Sequence, residues 1–149
     1  MARNRSVSRS KVIQAPASAI FDAIADPSMH PRIDGSGMVQ AARDDAPQRL
    51  TMGAGFGMDM KLGVPYKISN TVVEFEEGRL LAWRHFGGHR WRWQLESIDA
   101  VSTRVTETFD WSTSKSPLAL ELAGYPRRNA KAMERTLERL AELMENRGA

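Results

Sequence analysis

From residue 90 to residue 111 apolar and polar side chains alternate in two runs with a period of two, and that period fits only a half-buried β-sheet. Trp91, Trp93 and Leu95 face one way; Arg90, Arg92, Gln94 and Glu96 face the other. Val105, Glu107, Phe109 and Trp111 repeat the pattern against Arg104, Thr106, Thr108 and Asp110. One side is then buried and the other meets water, as antiparallel sheets allow. Residues 80–86 form the preceding run, and Gly87 and Gly88 predict a two-residue hairpin turn between them. Upstream to residue 38, short runs punctuated by Gly53, Gly55, Gly57, Gly63, Pro65 and Gly78 extend the same antiparallel meander.

Helical spacing brackets this block. Residues 7–13 read as a first strand that stops at Pro16, which suits the first position of a helix. Ile20, Phe21 and Ile24 share that helix's apolar face, and Asp26 and Pro27 close it. A second short turn is predicted over 28–33, limited by Pro31 and by the glycines at 35 and 37. Near the C-terminus Met133, Leu137, Leu140 and Met144 are spaced four, three and four residues apart, which predicts a long amphipathic helix. Arg135 with Glu138 and Arg139 with Glu142 are expected to pair along its outer face. Pro126 suits its first turn, and Gly124 separates it from a shorter helical piece over 118–122. Helices segregated from a continuous run of strands define the α+β class.

A chain of 149 residues without repeats or a linker is expected to form one domain, 1–149, with 1–6 as a flexible arm. The absence of Cys excludes disulfides, thiolate metal sites and a thiol nucleophile, and fits a reducing compartment. No apolar run of signal-peptide or membrane-spanning length follows Arg3, Arg5, Arg9 and Lys11, so the expected location is the cytoplasm. The net charge of +3 is spread among interleaved signs, and no reading motif accompanies it, so nucleic acid is not an expected partner.

Against this background the segment VIQAPASAIFDAIADP at 12–27 resembles the first strand and helix of the polyketide cyclase/START-like (SRPBCC) superfamily. RLLAWR at 79–84, RWRWQL at 90–95, TRVTET at 103–108 and the final amphipathic helix are similar to its later landmarks. The resemblance implies a helix-grip fold: a seven-stranded antiparallel sheet curled around the C-terminal helix, with two short helices after the first strand and a cavity between. It implies binding of a mostly apolar molecule such as a lipid, a polyketide or an aromatic metabolite, and in a minority of members cyclisation or dehydration. Two departures concern turns: residues 98–102 lack the glycines common there, and Glu77 stands where proline is frequent.

The candidate ligand wall comprises Trp83, Trp91, Trp93, Phe109 and Trp111 from the sheet with Met133 and Leu137 from the helix. Phe56, Met58 and Met60 add an adaptable rim, with Met52 nearby. Glu107 stands among apolar neighbours on the inward face, where a carboxylate must be paired, protonated or close to a cavity mouth. It is a candidate ligand anchor or general base, and His85, alternating with Leu81 and Trp83, is a candidate proton shuttle beside it. The alternative for Glu107 is a structural pair with an inward Arg or His. His30, flanked by proline, is expected at the surface or in a lid. Neither a metal site nor a cofactor is expected, because no His-rich ligand spacing or phosphate-binding loop occurs. Three functions follow: a binder or carrier of a small apolar ligand, a cyclase or dehydratase using Glu107 and His85, or a regulatory protein-interaction module. An open sheet edge would allow a homodimer.

Overall fold

A computed structural model describes residues 4–43 and 46–146. Strand β1 (Ser6–Ile13) leads to α1 (Ala17–Ile24), a 3-10 turn (Pro27–Met29) and α2 (His30–Ile33). Six strands follow: β2 (Val39–Ala42), β3 (Gly55–Leu62), β4 (Val64–Glu76), β5 (Leu80–His85), β6 (Arg90–Asp99) and β7 (Ser102–Asp110). Helices α3 (Pro117–Leu122) and α4 (Tyr125–Asn146) close the chain. All pairings are antiparallel, in the order β1-β7-β6-β5-β4-β3-β2, so the first strand joins the meander at its far edge. The seven strands curl around α4, which is the helix-grip α+β architecture.

Local chemistry explains the boundaries. Pro16 has φ −65° and ψ 147°, an extended residue that precedes α1 as its cap instead of occupying its first turn. The Asp26 carboxylate accepts the Ser28 N–H and Oγ–H, starting the 3-10 turn that feeds α2. Gly124, with φ 77°, ends α3 in a conformation that β-carbon-bearing residues rarely adopt, and α4 begins at the next residue.

Two turns differ from expectation. The β5–β6 connection is a three-residue loop: Gly88 N–H donates to the His85 carbonyl, His85 N–H to the His89 carbonyl, and Gly88 takes φ 102°. A turn followed by a left-handed glycine twists the hairpin as the strands require, and this combination uses one residue more than the predicted two-residue turn. At the β6–β7 turn Asp99 replaces the missing glycines, its Oδ1 accepting from Val101 N–H and Ser102 Oγ–H. Glu77 pairs with Arg49, which also reaches Asp22 of α1.

The two faces of the sheet separate as the alternation predicts. On the convex face Arg92 grips Glu74 with two hydrogen bonds of 2.9 and 2.8 Å, and Arg90 adds a third at 3.0 Å. On the concave face Leu81, Trp93, Leu95 and Val105 are buried. They share a core with Ile20, Phe21 and Ile24 of α1 and with Leu137, Leu140 and Met144 of α4. Each such side chain contributes about 1.5–3 kcal/mol by burial. The expected Arg135–Glu138 and Arg139–Glu142 pairs do not form; Arg139 instead donates to the Asp34 carbonyl. Within the 1–6 arm, residues 1–3 lie outside the described residues. Arg5 is anchored, its carbonyl accepting Trp111 N–H and its guanidinium pairing with Glu121.

The loop after α2 is clamped to α4. Gly35 N–H donates to Thr136 Oγ1, which donates in turn to the Ala132 carbonyl. A β-carbon on Gly35 would lie 2.6 Å from the Thr136 nitrogen and 2.7 Å from the Ala132 oxygen, both backbone atoms that cannot turn away. Gly35→Ala is therefore expected to destabilise the fold by about 1–3 kcal/mol. Urea melts of the two proteins measure this, and an unchanged midpoint would refute the close docking.

Candidate functional site

Helix α4 serves two purposes along its length. Its second half packs Leu137, Leu140, Ala141 and Met144 into the core. Its first half presents Tyr125, Asn129, Ala132 and Thr136 to the same sheet, and these polar or small side chains leave space that large aliphatic ones would fill. A cavity of about 600 Å³ results, bounded by β2–β7, α2 with its following loop, α3 and α4.

Most of the candidate wall meets there. Phe56, Met58, Met60, Trp83, Trp91, Trp93, Phe109 and Met133 all line the cavity. Trp111 and Leu137 do not. Trp111 stacks on Phe109 at 5.4 Å and donates its indole N–H to Glu121 at 2.9 Å, so it fastens α3 to the sheet. Leu137 belongs to the packed core. Met52 is exposed and stands outside the lining.

His30 departs most from expectation, because it is buried, not at the surface. Its Nε2–H donates to the Ile24 carbonyl at 2.8 Å, and its ring stacks on Trp83 at 5.0 Å and meets Phe56 edge-on. Desolvation lowers its pKa against the opposing pull of that hydrogen bond, keeping the ring neutral. Sequence reasoning missed it because proline flanks suggested a loop; the signal available was its spacing of three from the apolar Ile33.

Glu107 and Trp93 are directly opposed on β7 and β6. Both are buried, and among the described residues neither Glu107 Oε1 nor Trp93 Nε1 has a hydrogen-bonding partner. Burial raises the Glu107 pKa well above the ordinary carboxylate value, and the negative charge of Asp34 adds to the rise. Asn70, from β4, is a third buried group whose Oδ1 is unpartnered, and it too faces the cavity. It was legible by the reasoning applied to Glu107, since Ile68 and Val72 lie two residues either side in the same strand.

His85 lines the cavity at another level. Arg84 pairs with Arg90 and Arg90 with Asp110, while Glu107 lies three residues from Asp110 and His85 one residue past Arg84. Four residues of strand, about 13 Å, thus separate the levels of His85 and Glu107. The structure does not bring the two together. His85 accepts Gly87 N–H at Nδ1, stacks on His89 at 4.3 Å, and has its pKa lowered by burial. Burial, aided by His85, pushes the His89 pKa down to about 4. Phe86, Leu62 and Val64 give the mouth an exposed apolar rim. Among the described residues no cluster of three His, Asp or Glu could hold a metal ion.

Comparison with known proteins agrees with this geometry. Residues 4–145 match the family model described as polyketide cyclase / dehydrase and lipid transport. The chain belongs to that family. The uncharacterized protein Rv0088 of Mycobacterium tuberculosis is 41% identical over 141 residues, covering 91% of this chain and 62% of its own length. The chain thus spans less than two thirds of that curated relative. Among solved structures, protein NE0264 from Nitrosomonas europaea superposes with a TM-score of 0.77 at 14% identity, covering 99% of both chains. The AHSA1-like protein from Aeromonas hydrophila gives 0.66 at 23% identity, over 96% of this chain and 94% of that one. The Polyketide_cyc-like protein Cgl2372 from Corynebacterium glutamicum gives 0.64 at 18%, over 97% and 94%. At such identities these structures establish the fold alone. No helix among the described residues is long and apolar enough to cross a membrane.

The state of Glu107 gives a pH signature. A folded-state pKa raised above the unfolded value means that the folded protein holds its proton longer. Stability is then greatest below the unfolded pKa of about 4.3 and declines as pH rises toward the folded pKa, by at most about 1.4 kcal/mol per pH unit. Glu107→Gln removes this decline. The variant is expected to match wild type near pH 4 and to exceed it at pH 7 in thermal melts; clear destabilisation at pH 7 would reveal a cationic partner instead.

Proposed function

We propose that this protein binds and carries a small, largely apolar molecule in the cytoplasm, holding it between the concave sheet and the first half of α4. The observation that carries this reading is the 600 Å³ cavity lined by Trp83, Trp91 and Phe109 with unpartnered buried polar atoms on its wall. Ligand sites are typically of this size, mostly apolar, with a few fixed polar groups that orient the guest. Family membership supports the same coarse role.

A cyclase or dehydratase is the second reading, and Glu107 is the feature that favours it. A carboxyl kept protonated by desolvation can donate a proton to a ligand carbonyl. In this reading it acts without His85, which stands at another level of the sheet.

Native mass spectrometry of the purified full chain tests carriage through a co-purified mass, and Nile red, an uncharged fluorophore, tests the cavity directly. Nile red is expected to bind with a blue-shifted emission. Ala132→Phe, which fills part of the cavity with a ring from the α4 side, is expected to weaken it by about tenfold or more. If wild type neither binds Nile red nor carries a ligand, carriage is wrong.

A further inference from the structure

The cavity is selective for charge as well as for size. Among the described residues its lining contains no Lys or Arg, while Asp34 and Glu107 both contribute to it. Cations around it are engaged elsewhere: Arg139 donates to the Asp34 backbone carbonyl. Arg9, opposite Glu107 on β1, pairs with Glu134 of α4 at 2.9 Å, and Arg128 lies over the Tyr125 ring at 5.2 Å. An anionic headgroup entering this space would meet two carboxyl groups and no counter-charge, and would lose its water.

Deep in the same space Trp93 Nε1–H is a donor without an acceptor, directly across from Glu107. An indole N–H can only donate, and a protonated carboxyl also has one hydrogen to give. A carbonyl oxygen, with two lone pairs, is the group that one donor on each side can satisfy together. Asn70 Oδ1, level with Phe56 and His85, remains as an acceptor for a hydroxyl elsewhere on the guest.

The geometry points to a selection rule: the cavity takes uncharged polycyclic molecules that present a carbonyl oxygen to Trp93 and Glu107, and it excludes carboxylates of the same skeleton. This rule rests on the ligand-binding reading above and narrows its substrate class. Simple fatty acids at neutral pH fall outside it, whereas quinone-like, ketone-bearing or lactone-bearing ring systems fall within it.

Four probes on one ring skeleton separate the possibilities: fluorene, 9-fluorenone, fluorene-9-carboxylate and the ammonium form of 9-aminofluorene, each titrated into the full chain by calorimetry. Fluorenone is expected to bind about tenfold tighter than fluorene, the worth of one or two satisfied buried hydrogen bonds. Fluorene-9-carboxylate is expected to bind at least about a hundredfold more weakly than fluorenone. Trp93→Phe, which keeps an aromatic ring and removes the donor, should reduce the ratio of fluorenone to fluorene affinity from about tenfold toward one, whatever the lost ring area does to both. The wild-type ranking stands without any variant. A carboxylate or ammonium probe binding as tightly as the ketone overturns the rule, as does a ketone with no advantage over fluorene; in both cases the ligand-binding reading survives. If none of the four binds, the reading and the rule fall together.

Discussion

The structure depends on burying the inward face of β6 and β7 under α4. Trp93, Leu95 and Val105 cannot face water at tolerable cost, and a curved sheet offers them no opposing sheet, so a helix must cover them. The helix that does so is longer than the core it fills. Leu137, Leu140, Ala141 and Met144 complete the packing at one end, and the preceding turns continue over the sheet with Tyr125, Asn129 and Ala132. The cavity is the space left where coverage continues after the large aliphatic side chains have ended. Its position therefore follows from where along α4 the apolar spacing begins.

The two faces of one sheet place their carboxyl groups in opposite electrostatic situations. Glu74, on the convex side, is held below the ordinary carboxylate range chiefly by its hydrogen bond with Arg92, with Arg90 assisting. Glu107, on the concave side, is pushed up by burial, and Arg9 opposite it on β1 is engaged with Glu134. The contrast reflects the pleat: residues facing outward can recruit the arginines that alternate with the tryptophans, and residues facing inward cannot. A carboxyl on the inward face remains uncompensated unless the occupant of the cavity supplies its partner, which links the electrostatics of the fold to the chemistry of the guest.

Much of this was legible in the sequence, because period-two and period-3.6 patterns report which face is buried. Strands β5, β6 and β7, the helix α4 and the inward orientation of Glu107, Trp91 and Trp93 all follow from that periodicity. The pattern was silent where several residues satisfy the same rule. It could not distinguish Trp111, which donates to Glu121 and anchors α3, from Trp91, which lines the cavity, since both alternate correctly. Nor could it bring His30 onto Trp83, a contact created when the α1–α2 segment crosses from β1 to the opposite edge of the sheet. The separation of His85 from Glu107 is likewise a matter of register, which alternation fixes only within one strand.

The same register explains why the mouth holds its shape on one side. Gly88, at φ 102°, brings the β5–β6 tip so close to the segment after β7 that a β-carbon there would lie 3.1 Å from the Ser114 α-carbon. Thr113 Oγ1 donates to the Gly88 carbonyl and Lys115 N–H to the Gly87 carbonyl at 3.0 Å, so the hairpin is tied to the chain that enters α3. That helix is in turn fastened through Glu121 to Trp111 and Arg5, and it lends Leu120 to the cavity. His85, Phe86 and His89 are thus held by backbone bonds on one side of the opening, independently of any guest. An entry path framed this way is selective through its lining, since the groups that an arriving molecule first meets are an exposed phenyl ring and two histidines whose burial disfavours charge.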